Sequence, residues 1–285
     1  SMIDHPLIDE YWQSKAQDLA DIECPAFFVA SWSDQGLHTR GTLEAYKAAR
    51  SAHKFLLVHG QKKWAHYYDP QNVELLRQFF DEYLRGEGHS TRDWPKVRLE
   101  IRERAHVGHW RDEDEWPIAR TVYTPLYLDA VNMSLTEGPV QSNGEARYDP
   151  LTEDSACFDM LFQADTELTG HMKLKLWVEI EQGEDMDLFV AIQKLDGDGK
   201  VVPFIFYATC DDGPVALGWL RASHRELDLE KSTPWQPVHL HTFEDRLTPG
   251  TPVAVEIEIW PSSTLFRAGE SLRGQIKGQD IYGDI

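Results

Sequence analysis

Residues 26–60 decide the fold, and they read AFFVASWSDQGLHTRGTLEAYKAARSAHKFLLVHG. One apolar run, Phe27–Val29, leads to Asp34, and a second, Phe55–Val58, leads to His59. Short unbroken apolar runs are typical of strands that are buried on both faces of a parallel sheet. The sequence therefore predicts two neighbouring parallel strands, each of which ends close to a chemically active side chain.

The segment between the strands is predicted to form a helix from about Thr39 to Ser51, which supplies the crossover that parallel strands need. Reactive groups in such sheets lie just beyond the carboxyl ends of the strands. Asp34 and His59 have this placement, and their chain order is that of the last two members of a Ser–Asp–His triad in an α/β-hydrolase fold. In such a triad the carboxylate accepts the histidine Nδ1–H, and the histidine is the general base. The alternative for Asp34 is that it caps the following helix.

Three long segments carry a family resemblance. SWSDQGLHTRGTLEAYK (residues 31–47) and HGQKKWAHYYDPQNVELLRQFFDEYLRG (residues 59–86) resemble the C-terminal part of the catalytic domain of CocE/NonD hydrolases, which are relatives of X-Pro dipeptidyl-peptidase and cocaine esterase. GHMKLKLWVEIEQGEDMDLFVAIQKLDGDGKVV (residues 170–202) resembles their C-terminal jelly-roll domain. The resemblance implies an α/β plus all-β protein: a partial α/β-hydrolase domain at residues 1–95, followed by a galactose-binding-like jelly-roll β-sandwich at residues 96–285.

The same resemblance implies a serine hydrolase that cleaves acyl bonds in esters or amides, Xaa-Pro peptides included. Asp34 and His59 would be its catalytic residues, with no cofactor and no metal. His66 is the rival base, because Trp64-Ala65-His66 matches a Trp-x-His that some relatives carry after this strand. The G-x-S-x-G motif of a nucleophile elbow does not occur in the sequence. We therefore expect the serine to come from a missing N-terminal portion, and this chain alone to be inactive.

Alternating apolar and polar residues dominate the second half of the chain. Val97–Ile101, Leu174–Ile180 and Val253–Ile259 have this period of two, which predicts antiparallel strands with one buried face. Further strands are predicted at 119–123, 157–162, 187–193 and 215–222. In the first half we predict a helix over residues 3–23, a loop from Gly60, and a helix from Pro70 with Asp69 as its cap.

Composition excludes several functions. The net charge of −20 argues against nucleic-acid binding, because neutralising phosphates requires clustered Lys and Arg. No apolar run is long enough to span a membrane. Three scattered cysteines are typical of a reducing compartment, so we expect a cytoplasmic protein. Asp196–Gly199 is predicted to be a hairpin turn and not a calcium loop, because no bidentate Glu follows. The expected partners are a small acyl ester, amide or peptide substrate and the missing hydrolase portion, while a homo-oligomer stays open.

Tryptophan content supports an alternative interpretation. The 10 tryptophans and a jelly roll together are compatible with a carbohydrate-binding module, or with a structural domain that takes no part in catalysis. The simpler explanation is that large rings pack in the core and between domains.

Overall fold

The structure is a computed structural model that describes residues 3–88, 90–207 and 210–281. Its helices are α1 Glu10–Gln13, α2 Thr39–Ala48, α3 Lys63–Tyr68 and α4 Pro70–Phe80. Its strands are β1 Ala26–Ser31, β2 Lys54–His59, β3 Val97–Arg104, β4 Val107–Glu113, β5 Tyr127–Asp129, β6 Ser134–Thr136, β7 Ala156–Leu161, β8 Thr166–Val178, β9 Asp187–Leu195, β10 Val201–Val202, β11 Phe204–Phe206, β12 Cys210–Gly213, β13 Ala216–Arg221, β14 Val253–Phe266 and β15 Ser271–Lys277.

The described strands form one large mixed sheet and a separate β11–β12 hairpin. The main path runs β1-β2-β3-β14-β13-β9-β15-β7-β6-β5, with β4, β8 and β10 paired beside it. Its first part is parallel, since β1 pairs with β2 and β2 with β3 in that sense. The rest is mostly antiparallel, with its longest ladder between β8 and β14. The coarse expectation of an α/β part followed by an all-β part is confirmed.

Strand β3 joins the two parts. It begins after the predicted domain boundary at 95/96, yet Val97 pairs in parallel with Leu56 of β2. Its other contacts are an antiparallel ladder with β4 and a single parallel bridge from Arg102 to Thr264 of β14. The expectation that residues 97–101 belong only to an antiparallel sandwich is wrong. A strand with one polar and one apolar face can pair with a parallel or an antiparallel neighbour. The alternation alone therefore does not determine which neighbours β3 has.

Most of the predicted sandwich strands are present as β7, β8, β9, β13 and β14. The strand predicted at 119–123 is wrong. A turn closes there, because the Thr121 N–H donates to the carbonyl of Ile118, and the Tyr123 ring stacks on Trp235 at 4.3 Å. Val122 is exposed and Tyr123 packs on Trp235, so the β-prone residues of this segment form no ladder.

The predicted helix over residues 3–23 is also wrong. Only α1 and a 3₁₀ turn at Leu19–Asp21 form, each with an aspartate at its start. The Asp9 carboxylate accepts from Tyr11 N–H, and the Asp18 carboxylate accepts from Ala20 N–H. Such local bonds offer the backbone an alternative to a continuous helix.

The segment after Gly60 is not the predicted loop but carries α3, which is followed directly by α4. The Asp69 cap of α4 is confirmed, since its carboxylate accepts from Gln71 N–H at 2.8 Å. In the described part of the chain no helix is long and apolar enough to cross a membrane.

Buried polar side chains connect the parallel strands to the all-β part. The Gln35 amide donates to Pro261 O at 3.3 Å, and its oxygen accepts from Leu217 N–H at 3.2 Å. Arg102 is fully buried and donates to Val215 O at 3.0 Å and to Ser262 Oγ at 2.7 Å. Because buried polar groups are costly unless paired, these bonds fix the all-β part against the carboxyl edge of the parallel strands.

Candidate active site

Asp34 and His59 lie at the same edge of the sheet. Ser31, the last residue of β1, is paired in register with His59, the last residue of β2. The Trp32 N–H continues the ladder by donating to His59 O at 2.7 Å. The chain then turns, with Asp34 N–H on Ser31 O at 3.2 Å. Parallel pairing therefore brings the two predicted catalytic residues to neighbouring strand ends, as the sequence pattern indicates.

The Asp34 carboxylate is buried, with the residue 3 % exposed. Its Oδ2 accepts from Lys63 Nζ at 3.1 Å, whereas Oδ1 is buried without a hydrogen-bond partner among the described residues. The helix-cap alternative for Asp34 is wrong, because the N-cap of α2 is His38, which makes no side-chain cap bond. A buried carboxylate oxygen without a partner is costly and calls for an explanation.

His59 is 2 % exposed, and its Nδ1 accepts from the Gln61 N–H at 3.1 Å. That contact places the ring proton on Nε2, the reverse of the tautomer in which Nδ1–H donates to an aspartate. Burial holds the pKa of His59 well below its usual value, and the neighbouring His66 adds to this lowering. The ring is therefore neutral at pH 7, the state that a general base needs before the reaction.

His66 lies directly on His59. The two rings are stacked with centroids 3.7 Å apart and planes 1° from parallel. His66 is 8 % exposed, and its Nε2 is buried without a partner. Burial lowers the pKa of His66 to about 4, an effect that the negative Asp69 partly opposes. The two candidate bases thus form one neutral pair, in which protonation of either ring disfavours protonation of the other.

Within the described ranges, neither imidazole is hydrogen-bonded to Asp34. The nearby hydroxyls of Ser31 and Ser33 are 2.7 Å apart and both donate to Gln61 O, at 2.9 and 3.1 Å. Both are buried. Ser31 ends β1 and Ser33 follows in the connection to α2, without the G-x-S-x-G sequence of a nucleophile elbow. Among the residues that the structure describes, the site therefore holds an acid and two possible bases but no hydroxyl in the position of a nucleophile.

The all-β part also contributes to this site. Tyr207 follows β11 and has a φ of 51°, and its N–H donates to Ser33 O at 2.8 Å. Its hydroxyl lies 2.7 Å from the position that a Cβ on Gly36 would take. Burial raises the pKa of Tyr207, and the negative Asp280 and Asp34 raise it further. Sequence reasoning missed this residue, because nothing local marks a contact between segments so far apart in the chain.

Comparison with known proteins places these residues in a family. Residues 1–68, which carry Asp34, His59 and His66, match the X-Pro dipeptidyl-peptidase (S15 family). Residues 89–283 match the family described as the X-Pro dipeptidyl-peptidase C-terminal non-catalytic domain. A solved CocE/NonD family hydrolase from Staphylococcus aureus is 44% identical, with a TM-score of 0.96 over 98% of this chain and 50% of its own. The chain belongs to the CocE/NonD hydrolase family.

More distant relatives of this CocE/NonD chain extend the comparison. Cocaine esterase from Rhodococcus sp. (strain MB1 Bresler) is 27% identical over 282 residues, which is 79% of this chain and 46% of the esterase. An α-amino acid ester hydrolase is 16% identical with a TM-score of 0.71, a likeness that shows the fold alone. The chain spans about half the length of the relatives it matches.

The family resemblance inferred from the sequence is therefore confirmed, and a carbohydrate-binding or purely structural role is not favoured for a chain whose relatives are hydrolases. The catalytic roles of Asp34 and His59 stay predictions. So does the choice between His59 and His66.

Proposed function

We propose that this chain supplies the acid and the base of a Ser–His–Asp triad in an acyl hydrolase, whose serine comes from an N-terminal portion of the protein. The observation that carries the proposal is the shared strand edge. Asp34 and His59 leave two paired parallel strands at adjacent points, and Asp34 presents a buried Oδ1 that has no partner. The substrate class is an acyl ester or amide, with Xaa-Pro peptides as one candidate.

The chemistry proceeds through an acyl-enzyme. His59 takes the proton of the serine hydroxyl while the serine oxygen forms a bond to the acyl carbon. The C–O or C–N bond to the leaving group breaks, and the leaving group takes that proton from the imidazolium. Water then repeats the sequence and releases the acid. Asp34 orients the base and stabilises its charged form, and no cofactor takes part.

One local rearrangement completes the triad. For His59 to donate Nδ1–H to Asp34, the ring proton moves from Nε2 to Nδ1, and Nδ1 exchanges its bond with the Gln61 N–H for one to the free Oδ1. Nε2 is then unprotonated and can take the serine proton. After this exchange the Gln61 N–H donates to water instead of to His59. The charged imidazolium is then stabilised by a carboxylate, which opposes the lowering of its pKa by burial.

The all-β part has a supporting role in this proposal. It is a galactose-binding-like jelly roll that forms one wall of the substrate cleft. Tyr207 lies where it contacts the turn that carries Asp34. The protein acts in the cytoplasm on a small substrate. Whether it works as a homo-oligomer is decided by measuring its mass in solution.

The test compares the 285-residue chain with the intact protein that includes the N-terminal portion. We expect the intact protein to turn over a chromogenic acyl ester and to be labelled by a fluorophosphonate, and the chain alone to do neither. Turnover by the chain alone would refute the proposal, as would an intact protein that resists the label.

Two matched substitutions in the intact protein separate the rival bases. If His59 is the base, His59→Gln lowers kcat by several powers of ten, while His66→Gln costs far less. The reverse result would assign the role to His66. Equal and small losses would remove both from the mechanism.

A further inference from the structure

Lys63 reaches the predicted catalytic acid from the first turn of α3. Its Nζ lies 3.1 Å from Asp34 Oδ2, and the pair is largely shielded, with the two side chains 31% and 5% exposed. No motif in the sequence marks Lys63 for a role. A lysine on a buried carboxylate makes a charge-assisted bond that fixes the orientation of that carboxylate.

The bond from Lys63 makes the two oxygens of the Asp34 carboxylate different. Oδ2 is bound to Lys63, whereas Oδ1 is buried and unpaired. A triad aspartate needs one oxygen for the imidazole and a second contact that prevents it from turning away. We propose that Lys63 is a positioning residue that holds Asp34 through Oδ2, so that Oδ1 is presented to the catalytic histidine. The inference rests on the proposed function of the site.

The cation next to Lys63 binds a different carboxylate. The preceding residue, Lys62, forms an ion pair with Asp211 of β12 at 2.8 Å. Lys62 O accepts from the His66 N–H at 3.0 Å, so the same short helix carries the ring that stacks on His59. Helix α3 thus connects the β11–β12 hairpin, the acid and the paired histidines.

The charge of Lys63 has a measurable consequence. A cation on Asp34 weakens the attraction between that carboxylate and an imidazolium, and it repels the imidazolium directly. Once the base is bonded to Asp34 in the assembled triad, we therefore expect the charge of Lys63 to lower the pKa of that base. Removing its charge raises that pKa, and because the base must be neutral to act, the acidic limb of the kcat/KM profile moves to higher pH.

Other charged or titratable groups face this site from the elements packed around it, and they stay in place when Lys63 is changed. They are Lys62, Asp211, Tyr207, Asp280, His66, Asp69, Glu100, Arg102 and His106.

The experiment compares Lys63→Met and Lys63→Arg, with Lys62→Met as the matched control, since Lys62 is a neighbouring cation that pairs with Asp211 instead of Asp34. One readout is NMR titration of the imidazole C2–H signals in the 285-residue chain. The other is the pH dependence of kcat/KM for an acyl ester in the intact protein.

We expect Lys63→Met to raise an imidazole pKa and to move the acidic limb upward by about one pH unit, as the removal of a charge bonded to the carboxylate partner of the base implies. Lys63→Met should also lower kcat roughly tenfold with little change in KM. Lys63→Arg, which keeps the charge, should restore the wild-type kcat and pH profile. Lys62→Met should follow the wild type.

The two proposals fail separately. If neither the imidazole titration nor the pH profile moves in Lys63→Met, or if Lys62→Met moves them equally, the role of Lys63 is overturned. If the intact wild type turns over no acyl ester while the imidazole pKa still shifts in Lys63→Met, the proposed function fails and the coupling of Lys63 to the site stands.

Discussion

Gly60 follows His59 directly and lies against the most deeply buried cation near the site. An alanine Cβ at this position would come within 2.6 Å of Arg102 Cδ and 2.9 Å of Arg102 Cγ. Gly60 is not among the glycines with positive φ, so the backbone itself accepts alanine. Gly60→Ala therefore tests side-chain packing alone.

The overlap cannot be relieved cheaply. The contacted atoms lie in the middle of the Arg102 side chain, whose far end is bound to Ser263 O, Val215 O and Ser262 Oγ. Moving this chain breaks buried bonds, so the cost falls in the upper part of the range for overpacking, about 2–3 kcal/mol. The lower entropy of alanine in the unfolded chain returns about 0.5 kcal/mol. We expect a net loss of about 2 kcal/mol, which lowers Tm by about 4–8 °C.

Urea denaturation followed by tryptophan fluorescence measures this loss, and Gly41→Ala is the control. Gly41 lies inside α2, and a Cβ added there would have no atom within 4 Å, so alanine should stabilise the protein by about 0.5–1 kcal/mol. A Gly60→Ala protein within about 0.5 kcal/mol of the wild type would refute the reasoning, because Arg102 would then be free to move.

Three single side chains give further predictions. Asp34→Asn in the intact hydrolase should lower kcat by about 10⁴, as loss of the orienting carboxylate does in a triad, and stopped-flow ester hydrolysis measures it. Lys194→Met should cost about 3 kcal/mol in urea unfolding, because the buried ammonium binds Glu270 and two carbonyls, Glu103 O and Leu265 O. Burial lowers the pKa of His171 to about 4, so the unfolded chain takes up its proton first as the pH falls. The stability present above about pH 6.5 should be lost towards pH 4, by at most about 3 kcal/mol, and His171→Leu should flatten that loss in urea titrations at several pH values.

Each of these three predictions would be contradicted by a specific outcome. An Asp34→Asn enzyme within tenfold of the wild type would remove Asp34 from the triad. A Lys194→Met protein of unchanged stability would mean that the ion pair makes no net contribution. An identical acid dependence with and without His171 would assign the loss of stability to other groups.

The parallel strands and the edge where the candidate site lies were predictable from the sequence. Phe27–Val29 and Phe55–Val58 are short apolar runs that form strands β1 and β2, and chain continuity places Asp34 and His59 just beyond them. Only β2 is buried along this run as predicted, since Val29 of β1 is exposed. Parallel pairing then requires these two residues to be neighbours. Local sequence patterns are therefore sufficient to predict these two strands and the position of the candidate site.

Features that depend on contacts between distant segments were not predictable in this way. Helix α3 was missed because six residues give too little periodicity, and with it the stacking of His66 on His59 was missed. The bond from Lys63 to Asp34 joins residues 29 apart, and nothing distinguishes Lys63 from Lys62 in the sequence. The parallel pairing of β3 was missed because alternation describes a strand's faces and not its neighbours.

The bridge between Arg102 and Thr264 spans 162 positions of the chain. During synthesis, β1 to β4 leave the ribosome long before β14, so for that interval the carboxyl end of β3, beyond its pairing with β2, lacks its partner on that side. Closing so long a loop is slow, and an unpaired strand end is a point at which nascent chains associate wrongly. The hydrolase edge that carries Asp34 and His59 is thus translated early but acquires its final surroundings late.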